Sequence, residues 1–223
     1  QNIYITMLIK IFKKIIGGFG FKLIDKDLIK NERIISSNSY KSIELILEKI
    51  FSRNLIKNLI QVGANDGERF DNLNKFIKKY SPVSILVEPI KINFKDLEYN
   101  YKNVKNVYFE NSAISVNDEI QNLYRVKDEK IKNYEEHIKG ITSFDINHLL
   151  KHGVLKSHII KEKVNTISIS NLLLKYNLKK LDLLMIDAEG YDGEIAIDFL
   201  INNKLKPIII LEYIHIKNKI FIK

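Results

Sequence analysis

The 223-residue sequence contains no cysteine, only three prolines and nine glycines, and only four arginines (Arg33, Arg53, Arg69, Arg125) among its 36 basic residues. Without cysteine there is no disulfide framework, no thiolate zinc site and no cysteine nucleophile. No proline-rich or glycine-rich tract interrupts the chain, and at 45% hydrophobic it is too apolar for intrinsic disorder. Long apolar runs are also missing. Stretches such as Ile208–Leu211 fall far short of the ~20 residues a membrane span needs. The first residues lack a long apolar core followed by a small-residue cleavage site, so no signal peptide is read and a cytoplasmic location is expected. The shortage of arginine qualifies the net charge of +9. Proteins that read nucleic acid lean on the planar, bidentate guanidinium, whereas here the charge is lysine spread along the chain. A nucleic-acid partner is not expected from charge alone.

What is present suits one globular domain with a sizeable core. Residues 5–16 (ITMLIKIFKKII) place apolar side chains at helical spacing between Lys10, Lys13 and Lys14, and Gly17-Gly18 ends the pattern. This helix is expected to dock on its own domain; peripheral membrane contact is the other use of such a segment. A second helix is expected over 40–53, and the N-terminal helical segment is assigned to residues 1–53. From 54 to 223, buried strands alternate with amphipathic helices. The strands are read at 59–62, 83–87, 107–110, 181–186 and 207–212, and the helices around 70–80, 91–102 and 193–203. Such alternation implies a parallel sheet covered on both faces, a doubly wound α/β fold. Residues 117–170 break the rhythm. They are polar, carry four of the five histidines and contain β-like pieces at 120–126, 140–145 and 164–169. They are read as an insertion between the third and fourth main strands, on the ligand side.

Ligands of doubly wound sheets bind outside the carboxyl ends of the strands, so the segments following the strands are where chemistry belongs. The first strand leads into Gly63-Ala64-Asn65-Asp66-Gly67. The spacing is G-x-x-x-G, which matches neither the dinucleotide fingerprint nor a P-loop. Its acidic residue would repel a phosphate and suits a ligand with a cationic amine. The second strand ends at Glu88-Pro89, where a carboxylate can accept both hydroxyls of a ribose. Glycine loop and glutamate, 21 residues apart from Gly67 to Glu88, together point to a nucleoside site. Asn111 and Ser112, after the third strand, are placed to hydrogen-bond the base. The fourth strand ends Asp187-Ala188-Glu189-Gly190-Tyr191-Asp192, three carboxylates in six residues. Carboxylates are costly to place beside a buried strand without a task. The fifth leads to Glu212 and His215.

These motifs resemble the FkbM-type methyltransferase family, which uses S-adenosylmethionine (SAM) as methyl donor. The resembling segments are Gln61-Val-Gly-Ala-Asn-Asp-Gly67, Val87-Glu-Pro89, Glu110-Asn-Ser-Ala-Ile114, Ile186-Asp-Ala-Glu-Gly-Tyr-Asp192 and Ile210-Leu-Glu212, in the family's order. The resemblance implies a Rossmann-like class I methyltransferase fold and methylation of a hydroxyl on a sugar, glycan or secondary metabolite. It implies that Gly63, Ala64, Asn65 and Gly67 wrap the amino-acid part of SAM, with Asp66 meeting its ammonium directly or through water. It also implies that Glu88 binds the ribose, that Asn111, Ser112 and Ala113 flank the adenine, and that Asp187 and Glu189 lie near the sulfonium and the acceptor.

An alcohol acceptor must lose a proton, so a base is needed. Asp187 and Glu189 are the candidates, with His215 as an outsider. Asp187 and Glu212 end neighbouring strands and are the pair that would hold a divalent cation, an arrangement that is not favoured here. His148 and His152 share a helix face by spacing, but no acidic residue at matching spacing completes a metal set. With Lys151 and Lys156 beside them they are expected as solvated side chains. Only 11 residues follow Glu212, too few for the helix and antiparallel strand pair that usually close such a sheet, so a shortened C-terminus is expected. An unfinished sheet edge leaves the oligomeric state open. A non-catalytic SAM- or nucleoside-binding module stays open as an alternative. An RNA-binding or RNA-methylating protein rests only on charge.

Overall fold

The computed structural model describes residues 39–211, apart from the side chains at 39–42, 136 and 137. The helix expected over 5–16, Glu212 and His215 lie outside the described residues. Helix α1 (Ser39–Ser52) leads to strand β1 (Asn58–Val62), helix α2 (Asn74–Tyr80), strand β2 (Val83–Val87), helix α3 (Lys91–Tyr101) and strand β3 (Val107–Glu110). After an excursion described below, helix α6 (Ile169–Lys175) precedes strand β8 (Leu183–Ile186), helix α7 (Asp192–Asn202) and strand β9 (Ile208–Leu211).

The five long-range strands form a parallel sheet in the order β3-β2-β1-β8-β9. Side chains alternate across it, as the two-residue period of a strand demands. Ile60 and Val62 of β1 join Ile85, Leu184 and Ile186 under α6 and α7, packed on Leu172, Ile195 and Phe199. Leu59 of the same strand points the other way, with Leu86 and Leu183, against Leu47, Phe51, Phe76 and Leu97 of α1, α2 and α3. Two buried faces explain why these strands read as continuous apolar runs. The chain builds from β1 outward through β2 to β3, then returns to place β8 on the other side of β1. The switch point therefore lies between the carboxyl ends of β1 and β8, next to Gly63 and Asp187.

The excursion contains strands β4 (Ala113–Ile114), β5 (Ile120–Val126), β6 (Thr142–Ser143) and β7 (Ile159–Ile167), with short helices α4 (Glu136–Lys139) and α5 (Ile146–Lys151) between β5 and β7. A second sheet results, ordered β4-β7-β5-β6. The third β-like piece is longer and earlier than the sequence suggests, because β5 pairs with β7 along its whole length, from Ile120↔Asn165 to Val126↔Ile159. Ser168 then caps α6 by accepting from the Asn171 amide. Among the described residues, no helix is long and apolar enough to cross a membrane.

Candidate functional site

A cavity of about 320 Å³ opens at the switch point, bordered by the loop after β1, the end of β2, the loop after β8 and part of the excursion. Its size is that of a small-molecule site.

The loop after β1 is held by backbone bonds from Gly63 and Ala64 to the Val87 carbonyl, both 3.0 Å. Gly63 has φ +77°, and a Cβ there would lie 2.0 Å from the Asp187 carbonyl oxygen. Only glycine allows the β1 and β8 ends to come this close. Gly67, at φ +73°, lets the loop close onto α3, where a Cβ would meet Leu97 and Tyr101 at 2.5–2.6 Å. Gly63, Ala64 and Asn65 border the cavity and Gly67 does not.

Asp66 is placed differently from the sequence expectation. Its Oδ1 accepts from the amides of Glu68 (3.0 Å) and Arg69 (2.8 Å), and its Oδ2 is paired with the Arg69 guanidinium. Burial pushes its pKa up, but these donors and the Arg69 charge outweigh that and hold the carboxyl below its ordinary range. The carboxylate folds its own turn and does not border the cavity, because a local pair of amides and a neighbouring cation satisfy it first.

Glu88 sits at the end of β2, 4% exposed, on the cavity wall. Its carboxylate accepts from the Asn65 amide (3.0 Å) and the Ile90 amide (2.8 Å), so it joins the two loops. Burial pushes its pKa up to about 7, against the pull of the Ile90, Asn65 and Asn93 donors and with a further push from the Asp66 charge. Asn111 and Ser112 do not reach the cavity. Asn111 donates to the Glu88 and Pro89 carbonyls (2.9 and 3.1 Å) and Ser112 to Glu110 (2.8 Å), while Ala113 is packed with Ile90, Leu123 and Val164. These residues brace the Glu88 loop from behind.

After β8, Asp187 and Glu189 border the cavity. The third carboxylate of that motif, Asp192, is 1% exposed and accepts from the Ala188 and Gly190 amides, both 3.1 Å. Burial raises its pKa to about 7, and the nearby Asp187 charge adds to this. Asp192 thus pins the turn in which Glu189 takes the left-handed backbone (φ +48°). The excursion completes this wall. Ser143 Oγ donates to the Glu189 carbonyl (2.9 Å), Phe144 meets Tyr191 edge-on at 5.3 Å, and His148 Nε2 lies 3.0 Å from Glu189 Oε2. A carboxylate accepts, so Nε2 carries the proton.

The histidines correct the sequence expectation. His148 is buried on Glu189, its ring centroid 4.8 Å from that of His152, and His152 borders the cavity with Gly140, Ile141 and Thr142. The acidic partner was invisible because it lies 41 residues away in sequence. Among the described residues, no group of three His, Asp or Glu is arranged to hold a metal ion.

Gln61, Phe70, Asp71 and Asn72 also border the cavity and were not singled out from sequence. The sequence pattern starts a helix at 70, whereas α2 begins at Asn74. Asp71 accepts from the Leu73 amide (2.7 Å) just ahead of it. The acidic residue beside Asn72 is a helix-start signal that would have moved the boundary.

No curated protein matches the chain. The family model described as the methyltransferase FkbM domain matches residues 61–221, from the residue that opens the glycine loop through every strand end that borders the cavity. The chain belongs to the FkbM methyltransferase domain family.

Proposed function

We propose that this methyltransferase takes its methyl group from SAM and transfers it to a hydroxyl of a sugar, glycan or secondary metabolite. The observation that carries the reading is Glu88, a buried carboxylate at the end of the strand next to the glycine loop, facing a cavity of nucleoside size at the switch point. The donor set fits such a ligand. Gly63, Ala64 and Asn65 bring backbone close to the cavity, and Glu88 offers acceptors to ribose hydroxyls. Asp187 and Glu189 supply the negative wall that suits a sulfonium. When bound, SAM supplies an electrophilic methyl group.

The chain's own residues orient the acceptor and take its proton. Asp187 and Glu189 border the cavity beside the glycine loop, and the excursion steadies this turn through two contacts to Glu189 and the ring contact of Phe144 with Tyr191. His148, hydrogen-bonded to Glu189 Oε2, would hold that carboxyl in place as it takes the acceptor's proton. The acceptor binds against Gly140–Thr142 and His152, so specificity resides in the excursion.

Calorimetric titration of the purified protein with SAM and S-adenosylhomocysteine tests this reading. Binding in the micromolar range, lost in Glu88→Ala, is expected, followed by labelled-methyl transfer to a panel of sugars. With an acceptor in hand, Asp187→Ala should abolish turnover while SAM affinity stays within severalfold. Absence of binding to either nucleoside by a folded wild-type protein would defeat the proposal.

A further inference from the structure

We infer that Phe70 is the ring on which the methyl acceptor stacks, and that the acceptor presents a pyranose face to it; the inference rests on the SAM reading above. Among the described residues, seven other than glycine have positive φ. Four are asparagines and one is a serine, short polar residues that take the left-handed backbone more readily than bulky ones. The other two, Phe70 (φ +58°) and Glu189 (φ +48°), both border the cavity. A side chain as bulky as phenylalanine is disfavoured in that conformation, and its surroundings have to hold it there. They do so from both sides. Asp66 Oδ1 accepts from the Glu68 and Arg69 amides just before Phe70, and Asp71 Oδ1 accepts from the Leu73 amide (2.7 Å) just after it. The strain serves no core, since Phe70 is 56% exposed and belongs to neither of the apolar clusters that flank the sheet.

Position on the cavity decides what the ring can meet. Phe70 leads into α2, which packs on the sheet face that carries Met185 and Ile210, and these two border the cavity together with Ile43 of α1. Met185 and Ile210 lie on the β8–β9 side, whereas Glu88 follows β2, on the far side of β1. With the ribose at Glu88, this side falls to the acceptor, beside Asp187 and Glu189. An exposed ring offers a flat apolar face with negative charge density over it. The C–H hydrogens on one face of a pyranose are weakly positive and lie nearly in a plane, while its hydroxyls project from the rim. Such a molecule covers the ring and still meets the polar walls, to which Asn72, Thr142 and Glu189 contribute. An open-chain polyol has no such face. A simple phenol would cover the ring but leave most of the polar wall unmatched.

The test is saturation-transfer NMR on the protein loaded with S-adenosylhomocysteine. The probes are methyl α-D-mannopyranoside, methyl β-D-glucopyranoside and methyl α-L-rhamnopyranoside, with mannitol and catechol as the open-chain and phenolic comparisons. At least one pyranoside should bind, with saturation strongest at the hydrogens of one ring face, and should bind more tightly than either comparison. Phe70→Ala should weaken that pyranoside about fivefold or more and Phe70→Trp should retain it, while calorimetric affinity for S-adenosylhomocysteine stays within about twofold in both. Phe70→Asn should lose the pyranoside with a melting temperature equal to wild type or higher, since asparagine accepts the left-handed backbone and no buried ring is lost. The assignment is overturned by pyranoside affinity that survives in Phe70→Ala, by a preference for catechol or mannitol, or by no pyranoside binding at all. Loss of S-adenosylhomocysteine affinity in Phe70→Ala would give the ring to the cofactor and overturn it as well. A lower melting temperature in Phe70→Asn would make the ring structural, with the same consequence. If folded wild-type protein does not bind S-adenosylhomocysteine, the SAM reading fails and the stacking ring with it.

Discussion

Glu88 and Asp192 are two answers to one local problem. Each follows a parallel strand closely, each is almost wholly buried, and each accepts two backbone N–H bonds that shape a loop. Burial raises both to a pKa of about 7. They differ in what lies beyond the carboxylate. Glu88 borders the cavity, whereas Asp192 is enclosed in the turn that carries Glu189. A perturbed acidity therefore does not by itself mark a ligand-binding group. Asp192 is a bracket and Glu88 is a bracket with one side open to a ligand.

That contrast can be broken by substitution. The largest effect is expected from Asp192→Ala, which leaves the buried Ala188 and Gly190 amides without acceptors. The cost should be about 2–4 kcal/mol, or roughly 5–10 °C in melting temperature for a chain of this size. A melting temperature equal to wild type would remove the bracket role. Glu88→Gln should do the reverse. The melting temperature should stay within a few degrees, because the loss of one of the two acceptors for the Asn65 and Ile90 amides is offset by removal of a carboxylate that is costly to ionise, while affinity for S-adenosylhomocysteine falls about tenfold or more. Similar thermal loss in both variants would erase the distinction between the two residues.

A pH series sharpens it further. Ribose hydroxyls donate best to an ionised carboxylate, so affinity for S-adenosylhomocysteine should climb as pH rises from 6 to 8, through the Glu88 value of about 7. Glu88→Gln should flatten that rise and Asp192→Asn should leave it in place. The linkage to stability has the opposite sign. Both carboxyls hold their proton more tightly folded than unfolded. Each therefore contributes stability that is fully present below its unfolded pKa, near 4, and is lost as pH rises through about 7. Denaturation midpoints of Glu88→Gln relative to wild type should accordingly gain between pH 4.5 and 7, and a flat difference would contradict the shift. The smallest effect is expected where the excursion docks. Phe144→Leu removes one edge-on ring contact with Tyr191 and should cost ~1 kcal/mol without changing affinity for S-adenosylhomocysteine. A severalfold loss of that affinity would mean the contact positions the cofactor wall.

Much of this architecture can be read in the residues. The strands at 58–62, 83–87 and 107–110 coincide with or extend by one residue the apolar runs, because the two inner strands are buried on both faces and so are mostly apolar, while the edge strand keeps its apolar run and exposes Tyr108. The fourth and fifth strands are shorter than their runs, since Leu181 and Pro207 lie outside the ladder. The glycine loop and Glu88 fall on the cavity because the carboxyl ends of parallel strands converge there. The excursion was legible in its β-like pieces, since those at 120–126 and 140–145 match β5 and contain β6, but not in the way they pair. Its long β5–β7 pairing joins residues up to 45 positions apart (Ile120↔Asn165), and no local pattern encodes such a partner.

The sequence by itself determined the doubly wound sheet, the order of its loops and the cluster of acidic residues after β8. These follow from periodicity and from short-range steric rules, which act between neighbours along the chain. Only the tertiary structure decided which carboxylate faces the cavity. Asp66 and Asp192 were taken by partners within four residues of them, whereas Gln61 was fixed by Asp71, ten residues on, and Glu189 by His148, 41 residues away. A hydrogen bond is satisfied by whichever donor the fold brings within about 3 Å, and proximity of that kind is set by packing, not by spacing in the chain.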